Sequence, residues 1–311
     1  MDLSLIVEDF LASAHNRGLS DHTVRAYRQD LTAFSRWARA AQPEPVFGRD
    51  AVLDWVAAMR AEGYAAATIK RRLACMKVLC RWLEDEERLE TNPFHRLRLP
   101  VPLPRRLPRN LKREEVSALL DAPPHRSPPA PDDADGQAMA TLSLALELLF
   151  TTGIRVGELC AIRLPDIDLE AGTIAIKGKG NRERHVFLVD DTITAQVRAY
   201  VHTRRPAVPG LDALLLTPRG VAADPNHIRR LLHRHVETLN LSRRITPHML
   251  RHTAATELLD GGVDIRLVQK LLGHASISTT EIYTHVSDAT LRTRLRAVNP
   301  RQRLRARQQE G

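Results

Sequence analysis

The chain has 311 residues, of which 43% are hydrophobic, enough to bury two cores. Lys and Arg outnumber Asp and Glu by 46 to 37, a formal charge of +9, and the excess is rich in arginine. That balance favours a polyanionic partner, nucleic acid or a membrane surface, and arginine suits bidentate phosphate contacts.

No run approaches the roughly 18–20 apolar residues needed to span a bilayer. The start, MDLSLIVEDFLASAHNRG, carries Asp2, Glu8 and Asp9 and has no basic region leading into a long apolar core, so it does not read as a signal peptide. Three cysteines (Cys75, Cys80, Cys160) with no CxxC pair argue against a disulfide framework and against a cysteine zinc site. Cys75, within LACMKVLC, reads as small core filler. A cytoplasmic, reduced protein is the expectation.

In chain order, the first hundred residues read as helical. In LSDHTVRAYRQDLTAFSRWARA, Val24, Tyr27, Leu31, Phe34 and Ala38 recur at three-and-four spacing, and Ser20 or Asp21 can cap the helix. A second helix, AAATIKRRLACMKVLCRWLEDEERL, sets Ile69, Leu73, Met76, Leu79 and Leu83 on one side. Lys70, Lys77 and Arg81 fall on another side with Arg71 beside them; the face is either plainly solvated or a phosphate-contacting surface. NPFHRLRLPVPLPRRLPRNL follows, with prolines at 93, 100, 102, 104 and 108 among arginines that include Arg105 and Arg106. Proline fixes φ and removes donors, so an extended linker is expected, able to lie along a phosphate backbone.

LKREEVSALL opens the second half, and APPHRSPPAPDDADGQA (Ala122 to Ala138) reads as a mobile loop. AMATLSLALELLF should be a central buried helix ended by Gly153. GTIAIKGKGNRERHVFLV carries two β-branched runs around Gly178-Lys179-Gly180-Asn181, the pattern of a hairpin. More helices follow, so the fold class is mainly α in two domains, a helical N-terminal domain and an α-rich C-terminal domain with one small antiparallel sheet. No 20–50-residue repeat is visible.

The chemistry-bearing residues cluster late. In TPHMLRHTAAT, Thr246 caps a helix with Pro247 in its first turn, which puts His248 and Arg251 on one face. Taken alone, that is an ordinary surface His–Arg pair. In GGVDIRLVQKLLGHASISTTEIYTHV, Asp264 caps a helix whose inward residues are Ile265, Val268, Leu271 and Leu272, and Gly273 ends it. His274 then sits in the turn, and Ser278 and Glu281 have capping-box spacing ahead of Tyr283. Tyr283 alone would be a half-buried tyrosine. Arg155, in TTGIRVGEL, follows a helix-ending glycine and either binds an anion or bridges to Glu158 or another acid. Lys179, at the hairpin tip, either reaches into a groove or merely solubilises a turn.

In this order the motifs resemble those of the tyrosine recombinases, the phage-integrase class, and within it most of all the bacterial Xer recombinases. The resemblance covers nearly the whole chain. TGIRVGEL matches the motif of the first arginine (Arg155), GKGNRER that of the lysine (Lys179, with Lys177 the weaker candidate), and HMLRHTAAT the HxLRH box (His248, Arg251). LLGHASISTTEIYTHV matches the box of the last histidine and the nucleophile (His274, Tyr283). The resemblance implies a core-binding helical domain over 1–100, a linker over 101–110, a catalytic domain over 111–299 and a basic tail over 300–311. The Pro-rich insertion at 122–138 departs from the pattern.

It also implies cutting and rejoining of duplex DNA at a specific site through a 3′-phosphotyrosyl intermediate, without metal, ATP or other cofactor. Lys70, Arg71, Lys77, Arg81, Arg105 and Arg106 are the candidate DNA contacts. The implied partners are duplex DNA with a recombination site, a homo- or hetero-tetramer with a related recombinase that exchanges C-terminal helices, and a DNA translocase, with no membrane. Resolution of chromosome or plasmid dimers is the role expected first. An integrase of a mobile element, a type IB topoisomerase-like relaxing enzyme and a non-catalytic DNA-binding protein are the alternatives.

Overall fold

The structure, a computed structural model, describes residues 2–43, 46–97, 110–121, 133–178, 183–273, 288–299 and 301–302. The chain divides into two compact units, Met1–Arg106 and Leu107–Gly311. It is mainly helical throughout, with one three-stranded sheet among the described residues. No helix among them is long and apolar enough to cross a membrane.

The first unit holds α1 (Leu3–Asn16), α2 (Asp21–Ala41), α3 (Arg49–Ala61) and α4 (Ala66–Asp85). Ser20 caps α2, its hydroxyl accepting from the Thr23 N–H at 3.3 Å. Leu31, Phe34 and Ala38 are buried as their spacing requires, while Val24 and Tyr27 lie half-buried against the same core. Phe34 meets Trp55 edge-on at 5.0 Å; burying each such side chain contributes about 1.5–3 kcal/mol. All five inward positions of α4 are buried. Cys75 and Cys80 fill the same core, and burial pushes both thiols up to about 12, so neither is a ready nucleophile.

The expected linker begins later than its prolines suggest. Pro93–His95 form a 3-10 turn. The Asn92 side chain accepts from the Phe94 N–H at 3.0 Å, and Asn92 itself donates to Glu84. Phe94 and Leu97 pack on the core. Proline is at home in the first position of such a turn, and two apolar side chains are enough to hold it down. Residues 98–109, Arg105 and Arg106 among them, lie outside the described residues.

In the second unit, α5 (Arg113–Asp121) is followed by α6 (Ala134–Thr152), which is buried nearly throughout. The soft segment expected to reach Ala138 ends earlier: Asp133 caps α6 by accepting from the Gly136 N–H at 2.8 Å, so Ala134–Ala138 are its first turn. Residues 122–132 lie outside the described residues. Then come α7 (Val156–Ala161), β1 (Ile167–Asp168), β2 (Thr173–Lys177), β3 (Glu183–Phe187) and α8 (Asp191–Thr203). After them are α9 (Pro225–Thr238), α10 (Pro247–Asp260), α11 (Ile265–Leu272) and α12 (Asp288–Val298). α6 is the hub, packed by α5, α7, α8, α9 and α10.

The sheet is antiparallel in the order β1-β2-β3, with Ile174 opposite Val186 and Ile176 opposite Arg184. The alternation of a strand buries Ile174, Ile176 and Val186 together. On α11 the buried set is Leu267, Val268, Leu271 and Leu272. Ile265, expected inward, is 55% exposed. At 100° per residue it lies about 90° from the centre of the buried stripe, and Leu267 takes the inward place. After α12, Arg301 is buried between Asp121 (2.9 Å) and Glu147 (3.0 Å), so the basic C-terminal stretch is anchored at that point.

Candidate active site

Gly153 ends α6 in the left-handed region at φ 64°. The chain runs through buried Ile154 into extended Arg155, and α7 begins at once. Glu158, three residues on, accepts the Arg155 N–H at 2.8 Å, so the acid closes the first turn of α7. Its other oxygen accepts from the Arg155 guanidinium at 2.9 Å. A second Arg155 nitrogen donates to the Gly273 carbonyl at 3.3 Å. Half of the Arg155 side chain stays exposed, at 48%.

α10 starts as its sequence requires, with Thr246 accepting from the Met249 N–H and Pro247 in the first turn. Arg251, one turn in, is 5% exposed. It donates to the Gly153 carbonyl at 2.5 Å and to the Leu272 carbonyl at 2.7 Å. Both acceptors close helices, where the macrodipole is negative, so a buried cation is welcome there. Burial foremost, then the neighbouring Arg155 charge, still lowers Arg251 to about 10. His248, on the preceding turn of α10, is exposed.

A third arginine joins them. Arg184 on β3 forks onto Glu158 at 3.1 and 2.8 Å and donates from Nε to the Leu271 carbonyl at 3.0 Å. Burial pushes the Glu158 carboxyl up, but hydrogen bonds from Arg184, the Arg155 backbone and the Arg155 side chain outweigh it and hold the group below the usual carboxylate range. Three guanidiniums around one carboxylate leave a formal +2. A surplus of that size, with the Arg155 side chain 48% exposed, has the charge to hold an anion.

The structure thus brings Arg155 and Arg251 together, while His248 is exposed on the same helix as Arg251. Lys177, the weaker lysine candidate, is paired with Asp166 at 3.3 Å. Lys179, His274 and Tyr283 lie outside the described residues, as do Ser278 and Glu281. Lys70, Lys77 and Arg81 are exposed along α4. Arg71 is half-exposed and ion-paired with buried Asp30.

Two features escaped the sequence reading. One is Arg184, which sits inside GKGNRER at an inward-facing strand position; an arginine at an apolar register was the signal. The other is α9, which exposes Arg229, Arg230, His233 and Arg234 while burying Ile228, Leu231, Leu232 and Val236. Its RRLLHRH run was a readable basic amphipathic helix.

Two family models match the chain. The one described as the phage integrase family matches residues 109–290, and the one described as the phage integrase N-terminal SAM-like domain matches residues 7–87. The chain belongs to the phage integrase family. Within the family it is similar to the tyrosine recombinase XerC of Mycobacterium sp. (strain KMS), 36% identical over 294 residues, covering 93% of this chain and 96% of the relative. It is 38% identical over 288 residues to the tyrosine recombinase XerC of Herpetosiphon aurantiacus, covering 91% of this chain and 90% of the relative. It shares the fold of a lambda integrase tetramer bound to a Holliday junction, with a TM-score of 0.66 at 19% identity over 90% of this chain and 80% of that one. As a phage-integrase-family member with these relatives, the chain is a site-specific tyrosine recombinase.

Proposed function

We propose that this recombinase cuts and rejoins duplex DNA with Tyr283 as nucleophile and Arg155 and Arg251 as the clamp on the scissile phosphate. The observation that carries the reading is the convergence of Arg155 and Arg251 on the turn formed by Leu272 and Gly273. That turn leads directly into His274 and the segment of Tyr283.

In the forward step the Tyr283 oxygen bonds to phosphorus and the bond from phosphorus to the 5′-oxygen breaks. His248 takes the phenolic proton and Lys179 gives one to the departing 5′-oxygen. Arg155, Arg251 and His274 hold the non-bridging oxygens as charge grows on them. The phosphotyrosyl bond conserves the energy of the phosphodiester, because a phenol of pKa about 10 leaves far more readily than an alkyl alcohol. A 5′-hydroxyl then attacks and releases the tyrosine, so neither metal nor nucleotide is required.

The exposed cations of α4 and of α9 would contact phosphates. The working assembly would be a tetramer with itself or with a related recombinase, exchanging C-terminal segments between neighbours. Resolution of chromosome or plasmid dimers in the cytoplasm, with a DNA translocase as candidate partner, is the role that suits the kinship with XerC.

The test uses a supercoiled plasmid carrying two copies of a site selected by the protein from random duplexes. Discrete deletion or inversion products are expected. Relaxation of any plasmid regardless of site would instead support a topoisomerase-like enzyme.

A further inference from the structure

The geometry points to Arg184 as a positioning residue of the reaction: it matches the charge of the phosphate site to the transition state and keeps Arg155 free to reach the phosphate. This rests on the reading of Arg155 and Arg251 as the phosphate clamp.

Arg184 occupies an unusual place. On β3 it shares the inner face with Val186 and lies opposite Ile176, both buried. An arginine there is costly unless its donors are met. They are: its Nε reaches the Leu271 carbonyl, and its two terminal nitrogens reach the two oxygens of Glu158. Its side chain is 15% exposed, against 48% for Arg155. The backbone opposite is shaped to it. A Cβ placed on Gly273 would lie 3.1 Å from the Arg184 Cζ and Nη1, so the guanidinium packs flat against that glycine, whose φ is +63°.

Two consequences follow. Glu158 has two oxygens and receives two hydrogen bonds from Arg184 and two from Arg155. With Arg184 absent, Arg155 would be the one cation of the three still hydrogen-bonded to the carboxylate, and an incoming phosphodiester would compete with Glu158 for that guanidinium. Charge is the second consequence. Arg155 and Arg251 with Glu158 sum to a formal +1, which matches the single negative charge of a ground-state phosphodiester. Adding Arg184 makes +2, which matches the doubly charged oxygens of a pentavalent phosphorane. Binding matched to the transition state rather than to the substrate raises the rate of the chemical step. Arg184 also ties β3, which follows Lys179 in the sequence, to the end of α11, which precedes His274.

The experiment compares wild type, Arg184→Gln, Arg184→Lys and Glu158→Gln/Arg184→Gln. A suicide DNA substrate built on the selected site traps the covalent adduct in a single turnover at saturating protein, and affinity is measured in the same buffer. Arg184→Gln should cleave about 10- to 100-fold more slowly, the equivalent of losing charged hydrogen bonds, with a much smaller loss of DNA affinity. Arg184→Lys keeps the charge and should fall between. The double variant restores the formal +2 and should recover at least half of the lost rate on a logarithmic scale. A merely structural arginine would give a double variant no better than the single one, and that result overturns the proposal. So does cleavage by Arg184→Gln at the wild-type rate, or a defect confined to affinity. If Arg184→Gln does not fold, the double variant decides: a rate within about 10-fold of wild type supports the charge match, and a loss beyond about 100-fold overturns it. If wild type traps no adduct, the phosphate-clamp reading itself has failed, which is a separate outcome.

Discussion

Arg251 donates to the carbonyl of Leu272 at 2.7 Å, twenty-one residues along the chain, and in doing so closes the end of one helix with a side chain from another. The same guanidinium closes α6 through Gly153. Lysine has no planar fork and cannot serve both carbonyls and a phosphate. Arg251→Lys should therefore lose about 100-fold or more in single-turnover cleavage. It should also lose about 1–3 kcal/mol in urea unfolding, because a buried carbonyl is orphaned.

Gly153 carries two constraints at once. Its φ of +64° is costly for any other residue, and a Cβ there would lie 2.6 Å from the Leu272 Cδ2. Gly153→Ala should destabilise the protein by about 1–3 kcal/mol. Gly157, near the start of α7 with nothing within 4 Å of an added Cβ and no positive φ, is the contrast. Gly157→Ala should be neutral or gain up to about 1 kcal/mol from helix propensity. Urea midpoints of the two variants check the pair.

Acid should find the junction before α5. Arg243 hydrogen-bonds the Glu115 carboxylate, and that contact, helped by the Lys112 N–H, holds Glu115 below its usual range despite burial. A depressed carboxyl stabilises the fold fully above its unfolded value, about 4.3, and loses that contribution as pH falls through the folded value. Wild type should therefore lose stability more steeply than Glu115→Gln below about pH 4.3. Above that pH the variant should be the less stable of the two. Urea midpoints measured across pH 3–7 would show parallel curves if Glu115 were not depressed.

Contacts to phosphate announce themselves in salt dependence. Lys77 on α4 and Arg230 on α9 are exposed on their basic faces. Each neutralising change, Lys77→Gln or Arg230→Gln, should reduce the slope of log K against log salt by about 0.9 on duplex DNA. An unchanged slope would remove that residue from the interface.

Much of this was legible in the sequence because the signals were local. The spacing of Leu31, Phe34 and Ala38, the Ser20 and Thr246 caps, and Gly153 and Gly273 each follow from a few neighbouring residues. Glu158 was one of the acids open to Arg155, and that pairing coexists with a half-open guanidinium. What stayed hidden depends on distant partners. Arg184 looks like another hairpin cation until Glu158 and the Leu271 carbonyl are seen beneath it. Ile265 looks inward until the stripe of Leu267 and Leu271 shows where the core lies. Prolines drew the linker and loop too wide, because Asn92 and Asp133 each cap a turn that the composition conceals.

The central claim is that Tyr283 becomes joined to DNA. A nicked suicide substrate carrying the selected site, incubated with wild type and with Tyr283→Phe and resolved under denaturing conditions, tests it directly. The account predicts a covalent protein–DNA adduct with wild type and none with Tyr283→Phe, although both bind the duplex equally. An adduct formed by Tyr283→Phe would contradict it.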